Sequence, residues 1–198
     1  MRDEKKLVLK LDSTTTQFPV EVLNMWDLTD LEIIGGNFHY FPEDITILRN
    51  LKRLTLVSSK ISTLPKELFE LENLVYLNLK NNRLSTLPKL TQKTKLTTLI
   101  VGRNYLTSIE AIVPYITKIM TLDIGNNLLD SIPENFHLLG NLQRLNIDSN
   151  KLKSIPIFLK DMGALSHLSI EDNLFSLEEI LKIEQEFKIN LTNKTPAY

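Results

Sequence analysis

The sequence predicts an α/β solenoid: a stack of short coils with a parallel β-sheet along the concave face and short helices and loops on the convex face. Three observations carry this prediction. The skeleton Leu74, Leu77, Leu79, Asn82, Leu84, Leu87, Pro88 returns with starts at Leu28, Leu51, Leu96, Ile119, Leu142 and Leu165. Successive starts lie 23 residues apart, with one step of 22 between Leu74 and Leu96. A fixed period of this size marks units that bury their apolar faces only against their neighbours. Within each unit, as in LVYLNL at 74–79, leucines alternate with other residues, the pattern of a strand with one face in a core. Proline then follows at 42, 65, 88, 133 and 156, where its missing N–H suits the first position of a short helix.

The consensus LxxLxLxxNxLxxLP over residues 28–175 resembles the leucine-rich repeat family. The resemblance implies a right-handed superhelix. In that family the side chain at the Asn position bonds backbone groups of its own turn and of the adjacent repeat, a task that suits an amide, which both donates and accepts. That position reads Gly36, Ser59, Asn82, Asn104, Asn127, Asn150 and Asn173. Glycine cannot do this and serine does it in part, so the first two turns are expected to be the looser ones. The proline-marked 23-residue pattern is similar to that of bacterial leucine-rich repeat proteins and Ras-group scaffold proteins. It implies a non-enzymatic module that binds a protein or peptide. A regulatory subunit that modulates a bound enzyme, in a phosphatase or GTPase pathway, is the implied alternative.

One domain over 1–198 is expected. Residues 1–27 read as an N-terminal cap: Leu7, Leu9 and Leu11 alternate as in a strand over Lys6–Leu11, one residue off the repeat frame, and a loop over 12–17 restores the frame. Lys5, Lys6 and Lys10 would keep that edge from pairing with another chain. Seven repeats occupy 28–175. Segments such as PKELFEL predict one or two turns of α- or 3₁₀-helix, whereas the short, polar PKLTQKTK of the third repeat predicts an extended loop. Residues 176–189 read as a C-terminal cap helix: Ser176 and Glu179 form a capping box, and Leu177, Ile180, Leu181 and Phe187 share one helical face. Residues 190–198 are expected to fray. Trp26 aligns with the exposed positions Arg49 and Glu72, and is expected to pack under the N-terminal cap instead.

Composition excludes several functions. There is no cysteine, hence no disulfide, thiolate metal site or cysteine nucleophile. Formal charge is −1 with pI about 6.3, which gives no field to draw the chain onto nucleic acid or an anionic membrane. No stretch approaches the roughly 20 apolar residues of a membrane span, and MRDEKKLVLKLD lacks the apolar run of a signal peptide. A cytoplasmic protein is expected, export by a non-classical route being compatible, with a monomer favoured. The glycan-acceptor triplets at Asn190 and Asn193 read as accidental. No nucleotide-binding glycine motif occurs, and no two of His39, His137 and His167 have a metal-ligand spacing, so no cofactor or metal is expected. His167, Ser169 and Glu171 share a strand face, but neighbours on such a face stand about 7 Å apart, too far for direct proton transfer.

The outward strand positions are free of core duty and form columns across the rod. The first is Asp30, Arg53, Tyr76, Thr98, Thr121, Arg144, His167; the second Glu32, Thr55, Asn78, Ile100, Asp123, Asn146, Ser169; the third Ile34, Val57, Lys80, Gly102, Gly125, Asp148, Glu171. Ile34, Val57, Tyr76 and Ile100 form an apolar patch. Asp148, Glu171 and Asp172, with Asp123 diagonal, make the C-terminal half acidic, with Arg144 among them to neutralise two. Tyr105 and Leu128 follow the Asn position and would extend a binding face onto the ascending rim. The expected partner-binding set is therefore Ile34, Val57, Tyr76, Ile100, Asp123, Arg144, Asp148, His167 and Glu171 on the concave face, with Tyr105 and Leu128 on the rim.

Overall fold

A computed structural model describes residues 5–188. The expectations for residues 1–4, for 189, for the tail over 190–198 and for the triplets at Asn190 and Asn193 lie outside the described residues. Eight strands, β1 (Lys6–Leu11), β2 (Asp30–Gly35), β3 (Arg53–Val57), β4 (Tyr76–Asn78), β5 (Thr98–Ile100), β6 (Thr121–Asp123), β7 (Arg144–Asn146) and β8 (His167–Ser169), form one open sheet in chain order. Every pair is parallel. Each residue is paired with its counterpart one repeat on, Leu54 with Leu77 and Leu77 with Leu99. The step from β1 to β2 is 24 residues, Leu7 facing Leu31 and Leu9 facing Ile33, which is the frame slip the sequence shows. The loop after β1 absorbs the extra residue. Asp12 accepts from the Thr14 hydroxyl (2.6 Å) and N–H (2.9 Å), bonds that hold its carboxyl below the ordinary carboxylate range.

The inward leucines make one continuous core. Leu77 and Leu79 are 0% exposed, as are Leu54, Leu56, Leu99 and Val101. At the N-terminal end, Phe18 packs edge-on against Phe38 and Phe41, with ring centroids 6.0 and 4.9 Å away.

The turn after each strand is held by the expected asparagine. Asn127 Nδ2 donates to Val101 O (3.1 Å) in the preceding coil and Ile124 O (3.0 Å) in its own, while its Oδ1 accepts from Leu106 N (3.0 Å). Asn82, Asn104, Asn150 and Asn173 repeat these bonds. Ser59 also reaches the preceding coil, its hydroxyl donating to Gly35 O (2.7 Å), two residues beyond the carbonyl that an asparagine would bond. The residue before the Asn position has positive φ in each of these coils: Ser58, Asn81, Arg103, Asn126, Ser149 and Asp172. At Gly36 φ is itself +91° and a Cβ would stand 2.7 Å from the Phe38 ring, so this glycine makes room for a core aromatic.

The convex elements are single 3₁₀ turns at Val20–Asn24, Glu43–Ile47, Lys66–Glu70, Val113–Tyr115, Glu134–Leu138 and Ile157–Asp161. The PKLTQKTK stretch carries no helix. The prolines stand one residue earlier than the sequence suggested. Pro42, Pro65, Pro133 and Pro156 have extended ψ of 142, 147, 146 and 133° and precede the turn. The Pro133 and Pro156 carbonyls each accept the first turn bond at 3.1 Å.

The cap helix α1 (Leu177–Phe187) starts at Ser176, whose Oγ accepts from Glu179 N at 3.1 Å. Its buried face differs from the expected one. Leu177 is 68% exposed and Leu181 is also exposed, whereas Ile183 is 1% exposed. Ile180 and Phe187 are half-buried beside Ile183, the i, i+3, i+7 line that meets the end of the core. Trp26, expected under the N-terminal cap, is 66% exposed. The phenylalanine cluster already fills the space beneath that coil.

Candidate functional site

The columns are in the register read from the sequence, and β1 adds Lys6, Val8 and Lys10 at their N-terminal end. The two halves of the concave face differ in how their charges are used. In the N-terminal half two pairs close locally, while Lys10 makes no ion pair among the described residues. Lys6 bridges Glu32 at 3.2 Å and Arg53 bridges Asp30 at 3.4 Å. The Arg53 guanidinium also lies 3.9 Å from the centre of the Tyr76 ring, a cation–π contact. Ile34 and Val57 are register partners on β2 and β3, and both are only half-exposed. Ile100 lies two strands further on, with Tyr76 on the strand between.

In the C-terminal half Asp123 and Arg144 make no ion pair among the described residues. Ile100, Asp123, Arg144 and His167 converge, with Thr121, Asn146 and Ser169, on a shallow hollow of about 340 Å³ across β5 to β8. Among the described residues Asp123 accepts the Gly125 N–H (3.1 Å) alone. Burial pushes its carboxyl above the ordinary carboxylate range; the Gly125 bond and Lys80 oppose that shift, and Asp148 adds to it. Arg144 does not neutralise the acids as expected: neither it nor Asp123 makes an ion pair among the described residues. Asp148 is tied into the fold, accepting the Ser169 hydroxyl at 2.7–2.8 Å and the Glu171 N–H at 2.7 Å. Ser169 thus donates its hydrogen to Asp148 rather than to His167, and the three residues assemble no nucleophile and base.

Sequence reasoning missed Thr121, Asn146 and Ser169 as lining residues. The signal was the glycines of the third column. A Cβ on Gly102 would stand 3.0 Å from Asp123 Oδ1, and one on Gly125 would stand 2.8 Å from Asn146 Oδ1. Each glycine lets the polar side chain of the next coil fold down over it, which opens the hollow. On the rim, Tyr105 is exposed and Leu128 half-buried. Their N–H groups donate to Leu84 O (2.8 Å) and Leu106 O (2.9 Å) of the preceding coil, which fixes the two side chains side by side. Among the described residues, no three His, Asp or Glu side chains come close enough to hold a metal ion, and no helix is long and apolar enough to cross a membrane.

Comparison with known proteins agrees with this architecture. A leucine-rich repeat protein of Leptospira interrogans is 27% identical, with a TM-score of 0.76, over 87% of this chain and 44% of that one. An internalin of Listeria monocytogenes (20% identity, TM-score 0.55) is matched over 82% of this chain and 53% of its own. The LRIM1/APL1C complex (24%, 0.70) is matched over 84% of this chain and 32% of that one. The latter two likenesses concern the fold alone. The chain spans about half or less of the length of each of these structures. A search of curated protein sequences gives no match. The family model for the leucine rich repeat matches residues 49–92 and 94–152, more than half of the sequence. The chain therefore belongs to the leucine-rich repeat family.

Proposed function

We propose that the protein is a non-enzymatic docking module that receives a protein or peptide on its concave face, centred on the hollow at Ile100, Asp123, Arg144 and His167. The carrying observation is that Asp123 and Arg144, which line one hollow, make no ion pair among the described residues. Opposite charges that can reach each other normally pair, as Arg53 and Asp30 do. Asp123 and Arg144 stay apart beside half-exposed Ile100, so a partner that offers a cation to one and an anion to the other gains both contacts. Family membership supports the reading.

Size argues that the rim takes part. The seven steps between eight strands span roughly 34 Å, and three residues of strand rise about 10 Å. That strip is well short of the about 800 Å² per partner of a standard interface. Tyr105 and Leu128 supply adjoining apolar area, and Asp148 and Glu171 continue the face past the hollow. The cysteine-free composition suits a reducing compartment, and we assign the protein to the cytoplasm, acting as a monomeric scaffold.

The test is affinity capture from native lysate with wild type and with an Asp123→Arg/Arg144→Glu variant, after circular dichroism has shown both to be folded. The proposal predicts a protein held by wild type and lost, at least about tenfold, from the variant. Equal retention by both would place the contact elsewhere.

A further inference from the structure

The N-terminal end of the sheet is unfinished. β1 is the outermost strand, and among the described residues it pairs only with β2. The Lys5 carbonyl accepts from Thr29 and Asp30 (3.0 and 3.1 Å), and the Leu11 carbonyl from Gly36 (3.2 Å). Both thus face β2. Main-chain groups alternate in direction along a strand, so the N–H and C=O of Lys6, Val8 and Lys10 face the free edge. The opposite end of the sheet is different: β8 has three residues against six in β1, and α1 closes the core there through Ile183.

The side chains of β1 tell the same story. On the core side Leu7, Leu9 and Leu11 are only half-buried, although their partners Leu31 and Ile33 are buried. On the concave side the strand presents Lys6, Val8 and Lys10. Val8 is exposed. Lys10 has Ile34 as its register partner and makes no ion pair among the described residues.

We propose that the free edge of β1 is a strand-addition site for an extended segment of another protein in which acidic and apolar residues alternate. The added strand would bond the main-chain groups of Lys6, Val8 and Lys10. Its apolar side chains would cover Leu7, Leu9 and Leu11, and its acidic ones would lie beside Lys10 and beside Lys6, which would share its charge with Glu32. The lysines select the occupant. Fully overlapped antiparallel pairing of two copies of β1 sets Lys6 opposite Lys10 twice, and like charges directly opposite destabilise a pair. The same lysines attract an acidic strand. This site lies on the edge, apart from the hollow between β5 and β8, and does not depend on the concave reading.

The test uses the full chain and a fluorescein-labelled octapeptide of alternating glutamate and valine, read by fluorescence anisotropy. Val8→Pro is the decisive variant. The Val8 N–H faces away from β2, the one strand that β1 pairs with among the described residues, and proline is tolerated on an edge strand when its N–H side faces solvent. The expected result is binding to wild type, weakening of at least about tenfold in Val8→Pro and change within about twofold in Val8→Thr, which keeps the N–H. A lysine–valine octapeptide should not bind. If circular dichroism shows Val8→Pro unfolded, Lys6→Glu/Lys10→Glu carries the test, and the preference should pass to the lysine–valine peptide. No binding of the acidic peptide to wild type, or binding that survives the folded variants, overturns the proposal. Wild-type dimers in sedimentation velocity that vanish in Val8→Pro would also overturn it, giving the edge to a second copy.

Discussion

Replacing Asn127 by alanine removes three close bonds and a longer one to Gly125 O (3.3 Å). The Leu106 N–H loses its acceptor, and the Val101 and Ile124 carbonyls lose a donor. The site is buried, so the orphaned N–H carries most of its desolvation penalty. An unsatisfied buried donor costs about 1–3 kcal/mol, and the two carbonyls together add roughly 1 kcal/mol because each keeps some other contact. The expected loss is about 2–4 kcal/mol, a large share of a typical stability of about 5–15 kcal/mol. Asn173→Ala is an internal control. It breaks the same pattern of bonds, to Ile147 O, Ile170 O and Leu152 N, but Asn173 is half-exposed and water can replace them. Its loss should be about 1 kcal/mol. Urea unfolding gives both values, and amide exchange at Leu106 reports the broken bond directly. Equal losses at the two sites, or less than about 0.5 kcal/mol at Asn127 with Leu106 still protected, would refute the reasoning.

Further outcomes follow from the same structure. Gly36→Asn, which restores the repeat consensus, should destabilise, because φ is +91° and the new Cβ meets the Phe38 ring; thermal unfolding reads this. Leu77→Asp should unfold the array because a charge enters the core. Ile34→Asp/Val57→Asp should remain folded and lose about 1–3 kcal/mol for the half-exposed pair; circular dichroism separates the two cases. Asp123→Asn should stabilise at pH 7. The folded carboxyl binds its proton more tightly than the unfolded one, so stability falls as pH rises from the ordinary carboxylate value to the raised folded value. Asparagine removes that cost while keeping an acceptor for Gly125. The gain should be about 0.5 kcal/mol, allowing for solvent screening at a half-open site, and should vanish below the ordinary carboxylate range in a pH series of melts.

The repeat frame, the inward leucines and the outward columns were legible in the sequence because period and alternation state them directly. Even the frame slip at Leu7, Leu9 and Leu11 appeared as a one-residue offset. What was not legible depends on choices between equivalent faces. In α1 the residues Leu177, Ile180, Leu181 and Phe187 satisfy a helical period, but so do Ile180, Ile183 and Phe187, and only contact with the end of the core selects the second set. Trp26 read as a core filler because a tryptophan gains most from burial, yet three phenylalanines had taken the space. Of the candidate site residues, Asp123, Arg144, His167 and Ile100 meet in one hollow, while Tyr76 stands on the strand beside it and Ile34 and Val57 lie further off. The columns show neighbours but not which ion pairs close: Arg53 finds Asp30 and Tyr76, while Arg144 makes no ion pair among the described residues.

The central claim is that a partner sits in the concave hollow rather than on the convex turns. Because the chain has no cysteine, Thr121→Cys and Lys118→Cys each carry a single thiol, the first lining the hollow and the second on the loop leading into β6. The rate of thiol alkylation is measured with and without the captured partner. The account predicts that bound partner slows modification at position 121 and leaves position 118 unchanged. Protection at 118 with position 121 still freely reactive would contradict it.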